Sequence, residues 1–145
     1  KGARLTTHLS LPSRYLVLLP QSRMLGVSAR IEDEAERQRL RELLAGPDGG
    51  PNGYGYIIRT NAEGQTREAL EEDIAFLDKV WKSIEGQLAS AKVGERIYED
   101  LSLPLRCVRD MLRDNIEKVR IDSRETFERT VHFARQFIPE LVERI

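Results

Sequence analysis

Leu70, Ile74, Leu77, Trp81, Ile84 and Leu88 recur at spacings of four, three, four, three and four residues. That spacing draws one apolar stripe down a long helix, which Thr66 can cap and which should reach about Ala91. A helix so patterned must bury its stripe. Lying across a small sheet is the common solution, and zipping two chains together is the other. Glu71, Glu72 and Asp73 fall mostly on the wet side of this helix, and a general acid/base pair would need a cleft that nothing in the sequence implies.

The strands for such a sheet lie upstream. Leu5 to Leu11 alternates apolar and polar residues, the period of a half-buried strand. Pro12-Ser13 punctuates it, and Arg14 to Leu19 reads as a second strand closed by Pro20. Gln21 to Arg30 reads as a loop with an edge strand. Glu32-Asp33-Glu34 opens a helix to about Ala45, with acids in its first turn and Arg37, Arg39 and Arg41 later, as the helix dipole favours. The Gly/Pro-rich run from Gly46 to Gly53 lacks the Gly-Lys-Ser/Thr ending of a phosphate-cradling loop. Tyr56 to Thr60 then reads as a short buried strand.

Beyond Val93-Gly94 the pattern breaks, and Arg96-Ile97-Tyr98 reads as a short strand or a connector. Pro104 opens a short amphipathic helix carrying Leu105, Val108, Met111 and Leu112, with Cys107 as a small core residue beside that face. Pairing of Asp110 with Arg106 and Arg113 is expected along it. Lys118 to Ile121 reads as a strand. Asp122 to Glu125 has capping-box spacing before a helix bearing Phe127, Val131, Ala134 and Ile138, which Pro139 interrupts. One strand cannot make a sheet, so this helix–strand–helix unit is expected to be incomplete. The whole predicts an α/β (α+β) protein: a small sheet packed by two helices, followed by that unit.

Composition narrows the function classes. A single cysteine among 145 residues excludes an internal disulfide and fits a reducing, cytoplasmic compartment. The longest apolar run, Tyr15 to Leu19, is too short to span a bilayer, so no membrane role is expected. The chain opens on Lys1 in mid-pattern, which suggests a piece of something longer. Residues 1–31 hold Lys1, Arg4, Arg14, Arg23 and Arg30 and no acid, whereas the remainder carries 18 basic and 24 acidic side chains. A cationic front on an acidic body suits a polyanion, though a solvated β-surface explains five charges equally well. No nucleophile elbow, His-Glu-x-x-His helix, Cys-x-x-Cys pair or dinucleotide fingerprint occurs, His132 lacks a second ligand at metal spacing, and no metal site is expected.

The sharpest candidate site is Arg59-Thr60. A strand that ends in a guanidinium fork and a hydroxyl offers the donors a terminal phosphate needs. Taken alone, two residues favour the plainer account, in which Arg59 covers the strand end and Thr60 makes a local turn bond.

Five separated stretches add to this: Lys1-Gly2-Ala3-Arg4-Leu5-Thr6-Thr7, Leu11-Pro12-Ser13-Arg14-Tyr15-Leu16-Val17, Gly26-Val27-Ser28-x-Arg30-Ile31-Glu32, Ile58-Arg59-Thr60 and Ile121-Asp122. In order and spacing they resemble the RNase E/RNase G family of bacterial endoribonucleases, the first two leaning to its RNase G branch. The resemblance implies the end of an OB-type RNA-binding domain over 1–9, a 5′-sensor domain over 10–102 and part of a ribonuclease H-like domain over 103–145. It further implies that Arg59 and Thr60 hold the 5′-monophosphate of a single-stranded RNA, that Val17 offers its main chain to the RNA end, and that Arg30 lies close by. Ser13 stands where RNase E has a glycine, so a backbone contact there should survive. The resemblance also implies a cytoplasmic, homo-oligomeric parent enzyme of rRNA processing and mRNA decay, with magnesium and zinc bound downstream, leaving this segment non-catalytic and cofactor-free. The alternatives are a helix-mediated interaction module and a general RNA-binding module indifferent to the 5′ end.

Overall fold

The computed structural model describes residues 5–46, 49–113 and 115–145. Lys1 and Arg4 of the cationic front, and Pro47-Asp48 of the connector, lie outside them. In chain order the elements are β1 (Leu11–Pro12), β2 (Leu16–Leu19), β3 (Leu25–Val27), α1 (Glu34–Leu44), β4 (Gly55–Ile58), α2 (Arg67–Leu88), α3 (Leu103–Met111) and α4 (Arg124–Phe137). Short 3-10 turns occupy Pro51–Gly53, Thr60–Ala62 and Pro139–Arg144. This is an α/β fold. It divides within α2 into two compact units, one up to Trp81 and one from Lys82.

The first unit is built on a mixed four-stranded sheet in the order β1-β2-β4-β3. β2 runs antiparallel to both β1 and β4, with Leu16 opposite Ile58 and Val17 opposite Ile57, while β3 runs parallel to β4. Alternation sorts the side chains: Leu16, Leu18, Tyr56 and Ile58 are wholly buried, whereas Val17 and Ile57 on the opposite face are half-buried. The buried face meets Leu40 and Leu44 of α1 and Leu70, Ile74, Leu77 and Val80 of α2 in the core. Truncating any one of the fully buried leucines to alanine costs about 2–5 kcal/mol by the usual transfer and cavity terms. Burial also pushes the Tyr56 hydroxyl up to about 12, with Asp78 and Tyr54 adding to it. Gly55 is required by close approach, because a Cβ there would sit 2.9 Å from the Met24 carbonyl oxygen that accepts from Tyr56 N–H.

Leu70, Ile74, Leu77 and Ile84 of the stripe are buried, so up to Leu77 the helix serves as a cover for the sheet. Trp81 is half-buried and Leu88 is exposed. Glu71 and Glu72 are wet as expected; Asp73 is not. Its carboxylate is buried and accepts from Ser13 Oγ at 2.6 Å and from the backbone N–H groups of Tyr15 and Leu16, both at 2.9 Å. Asp73 follows Leu70 by three residues and precedes Leu77 by four, which puts it on the apolar side of the helix. The β1–β2 connection explains why a charge belongs there. Neither Arg14 nor Tyr15 takes a positive φ, so the link is not the primed two-residue turn that joins most tight hairpins. The carboxylate instead gathers the donors that this turn leaves pointing inward. Burial pushes the Asp73 carboxyl above its ordinary value, against the downward pull of Ser13, the two N–H groups and Arg14.

Several other expectations change. Leu5 to Ser10 pairs with nothing among the described residues, and only Leu11–Pro12 joins the sheet. Arg14 to Leu19 becomes a turn followed by a four-residue strand, and the edge strand foreseen between Gln21 and Arg30 is β3. In the second unit, Arg96-Ile97-Tyr98 is a connector. The segment 118–121 is not a strand: Val119 N–H donates to the Arg144 carbonyl in the last 3-10 turn, and no described strand lies beside it. The helix–strand–helix unit is thus helix, extended link and helix. Cys107 is exposed rather than core. Asp110 pairs with its neighbour Arg109 at 2.7 Å, and Arg106 pairs with Asp100. The α4 cap is Ser123, whose hydroxyl accepts from Thr126 N–H at 3.3 Å. Pro139 does end the helix.

α1 also holds the loop after β4. Arg39 and Glu36 form a two-pronged pair at 2.6 and 2.7 Å, Arg39 donates to the Gln65 carbonyl, and Glu36 accepts from Gly64 N–H at 2.8 Å. The hydrogen bonds from Arg39 and Gly64 hold the Glu36 carboxyl down at about 2, against an ordinary value of 4.5.

Two tests follow from these anchors. Asp73→Ala strands two buried N–H groups and a hydroxyl, so the first unit should lose about 3 kcal/mol in urea unfolding followed through Trp81. Asp73→Asn should lose less, and Glu72→Ala under about 0.5 kcal/mol. Glu36 binds its proton more weakly folded than unfolded, so its contribution is complete above pH 4.5 and fades as pH falls towards 2. The stability gap between wild type and Glu36→Gln should therefore close across that window; a gap independent of pH would assign the effect to packing alone.

Candidate phosphate-binding site

β4 ends by splitting its last hydrogen bonds between two neighbours. The Ile58 carbonyl accepts from Ser28 N–H at 2.8 Å, and Arg59 N–H donates to the Tyr15 carbonyl at 2.8 Å. The backbone then tightens into the Thr60–Ala62 turn. Loops that follow β1, β3 and β4 are thereby collected at one end of the sheet.

Arg59 lies half-buried on the same sheet face as Val17 and Ile57. Its Nη1 donates to the Ser13 carbonyl and, at 3.4 Å, to the Arg14 carbonyl. No carboxylate pairs with it among the described residues. A guanidinium held only by neutral carbonyls keeps its full charge for an incoming anion, and its planar fork suits phosphate oxygens. Arg39 is the contrast, since Glu36 already neutralises it.

Thr60 is exposed, and its Oγ1 lies 3.3 Å from Ser28 Oγ. Ser28 Oγ also accepts from Arg30 N–H at 3.3 Å, which brings the exposed Arg30 to the same corner. The turn that carries them is clamped from α1: Arg37 Nη1 donates to the Ser28 carbonyl at 2.8 Å and to the Ile31 carbonyl at 3.1 Å.

The residues singled out from sequence therefore occupy unequal places. Thr60 and Arg30 are joined through Ser28 at the end of the sheet, and Arg59 leaves the same strand end towards the Ser13 and Arg14 carbonyls. Val17 sits in β2 with Pro12 on one side and Ile57 on the other, so its strand is covered along both edges. Ser13 is buried with every polar group engaged: its N–H on the Leu16 carbonyl, its hydroxyl on Asp73 and its carbonyl on Arg59. Sequence reasoning missed Ser28, Arg37 and Asp73. Asp73 had a legible signal in its helical phase; Ser28 and Arg37 act through tertiary contacts with no local signature.

No group of three or more His, Cys, Asp or Glu is placed to hold a metal ion among the described residues. No helix of the described residues is long and apolar enough to cross a membrane.

Comparison with known proteins identifies relatives of the chain. The model of the Ribonuclease E/G family matches residues 10–145. Ribonuclease G of Haemophilus influenzae is 42% identical over 145 residues, covering 100% of this chain and 29% of that protein. Ribonuclease G of Escherichia coli K12 is 39% identical with the same coverage. Ribonuclease E of a Nostoc species is 38% identical over 123 residues, or 85% of this chain and 18% of that protein. The chain thus spans less than a third of the relatives it matches, and over that span it belongs to the Ribonuclease E/G family.

Proposed function

We propose that this chain is the RNA 5′-end-sensing segment of an endoribonuclease that cuts single-stranded RNA, and that it recognises a 5′-monophosphate without itself performing the cleavage. The observation that carries this reading is Arg59: a half-buried guanidinium moored by two neutral carbonyls and followed directly in the chain by Thr60, whose hydroxyl lies 3.3 Å from that of Ser28. Arg59 supplies the fork, Thr60 the hydroxyl, and Arg30 longer-range attraction. Val17 and Ile57 offer an apolar surface beside them for the first nucleotide. Ser13 contributes by presenting the carbonyl that orients Arg59. A terminal phosphate carries more charge than an internal diester and presents three oxygens to these donors, whereas a 5′-hydroxyl forfeits the charge-assisted bonds. Magnesium, zinc and oligomer contacts belong, on this reading, to parts of the parent enzyme outside the described residues.

A general RNA-binding surface is the competing reading, favoured by exposed Arg23 and Arg30 on a stretch without acids. The two separate in one titration of the intact protein with matched short RNAs bearing a 5′-monophosphate or a 5′-hydroxyl. Wild type should prefer the monophosphate, and Arg59→Ala should erase at least about tenfold of that preference. Equal affinity for both ends, with a steep salt dependence, would establish the general surface instead. This 145-residue chain with magnesium alone should leave RNA uncut.

A further inference from the structure

Thr60 can serve an anion only if its single hydroxyl proton points at it. A threonine hydroxyl rotates among staggered positions and spends its proton on whichever acceptor lies nearest. The surroundings of Thr60 restrict that choice. Ser28 Oγ lies 3.3 Å from Thr60 Oγ1 and accepts from Arg30 N–H on its other side. With one lone pair filled by that N–H, the serine keeps its proton and a second lone pair, so either hydroxyl can donate to the other; an anion in front of Thr60 draws the threonine proton and leaves the serine as the donor within the pair. A serine that donates to Thr60 Oγ1 leaves the threonine proton directed outward.

Nearby oxygens are also prevented from competing. The Ser28 carbonyl takes Arg37 Nη1 and Ile31 N–H, and the Ile31 carbonyl takes the same Arg37 nitrogen. Ser28 itself is pinned to the sheet by its N–H on the Ile58 carbonyl. The Ser28 and Ile31 carbonyls are thus engaged within the protein rather than open to the Thr60 proton.

We infer that Ser28 is a positioning residue, which orients the Thr60 hydroxyl as a donor to the 5′-phosphate through the chain Arg30 N–H, Ser28 hydroxyl, Thr60 hydroxyl, phosphate oxygen. This rests on the phosphate-sensing reading above. Bonds in such a chain polarise one another, so Thr60 donates more strongly than an isolated hydroxyl.

The test is a double-mutant cycle in the intact protein, with the same pair of 5′-monophosphate and 5′-hydroxyl RNAs. Ser28→Ala should cut the monophosphate preference roughly threefold to tenfold, leaving affinity for the 5′-hydroxyl RNA and the melting temperature unchanged. Thr60→Ala should lose at least as much, and the double variant should lose no more than Thr60→Ala alone. Ser28→Thr, which keeps the hydroxyl, should retain the preference. An unchanged preference in Ser28→Ala, or losses that multiply in the double variant, would overturn the role of Ser28. Equal loss for both RNAs would also overturn it and make Ser28 purely structural. A wild type with no preference would instead overturn the phosphate-sensing reading itself.

Discussion

One buried carboxylate organises the first unit. Asp73 could not sit on the core side of α2 without compensation, since an isolated ionised carboxyl in an apolar interior costs many kcal/mol. It is tolerated because a turn of unfavourable geometry stands directly opposite, with two N–H groups and a hydroxyl facing inward. Neither partner is well satisfied alone. Together they fix the rotation of α2 against the sheet, because only one phase of the helix brings the carboxylate to Ser13, Tyr15 and Leu16. Apolar packing is less exacting; leucine side chains would accept several small rotations.

The same turn then serves a second purpose with its other polar groups. The N–H of Ser13 closes the hairpin, its hydroxyl faces Asp73, and its carbonyl, together with that of Arg14, faces Arg59. Donors point to the acid and acceptors point to the base, so a single turn holds opposite charges apart and leaves each with neutral partners. Had Arg59 been moored by a carboxylate, as Arg39 is by Glu36, binding an anion would require displacing that acid. The chain uses the ion pair where it ties α1 to a loop and the carbonyl mooring where a charge has to stay available.

Much of this architecture was legible in the residues. The stripe from Leu70 announced α2, the acid-to-arginine gradient announced α1, and the apolar run at Tyr56 announced the central strand. Arg59 and Thr60 were visible as an unusual ending to that strand. The failures share a cause. Leu5 to Ser10 and Lys118 to Ile121 have the alternation of strands, but alternation describes one chain's preference and a ladder needs two. Asp73 faces inward, against the usual preference of a carboxyl for water, because its helical phase matches that of Leu70 and Leu77. Arg106 and Asp110 have ideal spacing for a pair along α3, yet each finds another partner, since surface ion pairs are too weak to dictate geometry.

Ser28 shows a different kind of illegibility. Nothing about a serine after Gly26-Val27 distinguishes it from a loop residue. It acquires significance only because the parallel pairing of β3 with β4 puts Val27 beside Ile58, so that the residues leaving the two strands emerge side by side. An antiparallel edge strand would have sent Ser28 and Thr60 to opposite ends of the sheet. Parallel pairing normally demands a long crossover, and the stretch carrying α1 supplies it, returning with Arg37 to hold the very turn it follows. The corner where the Ser28 and Thr60 hydroxyls meet is thus a consequence of strand direction. A substitution that weakens the β3–β4 pairing would disperse the corner without altering any residue in it.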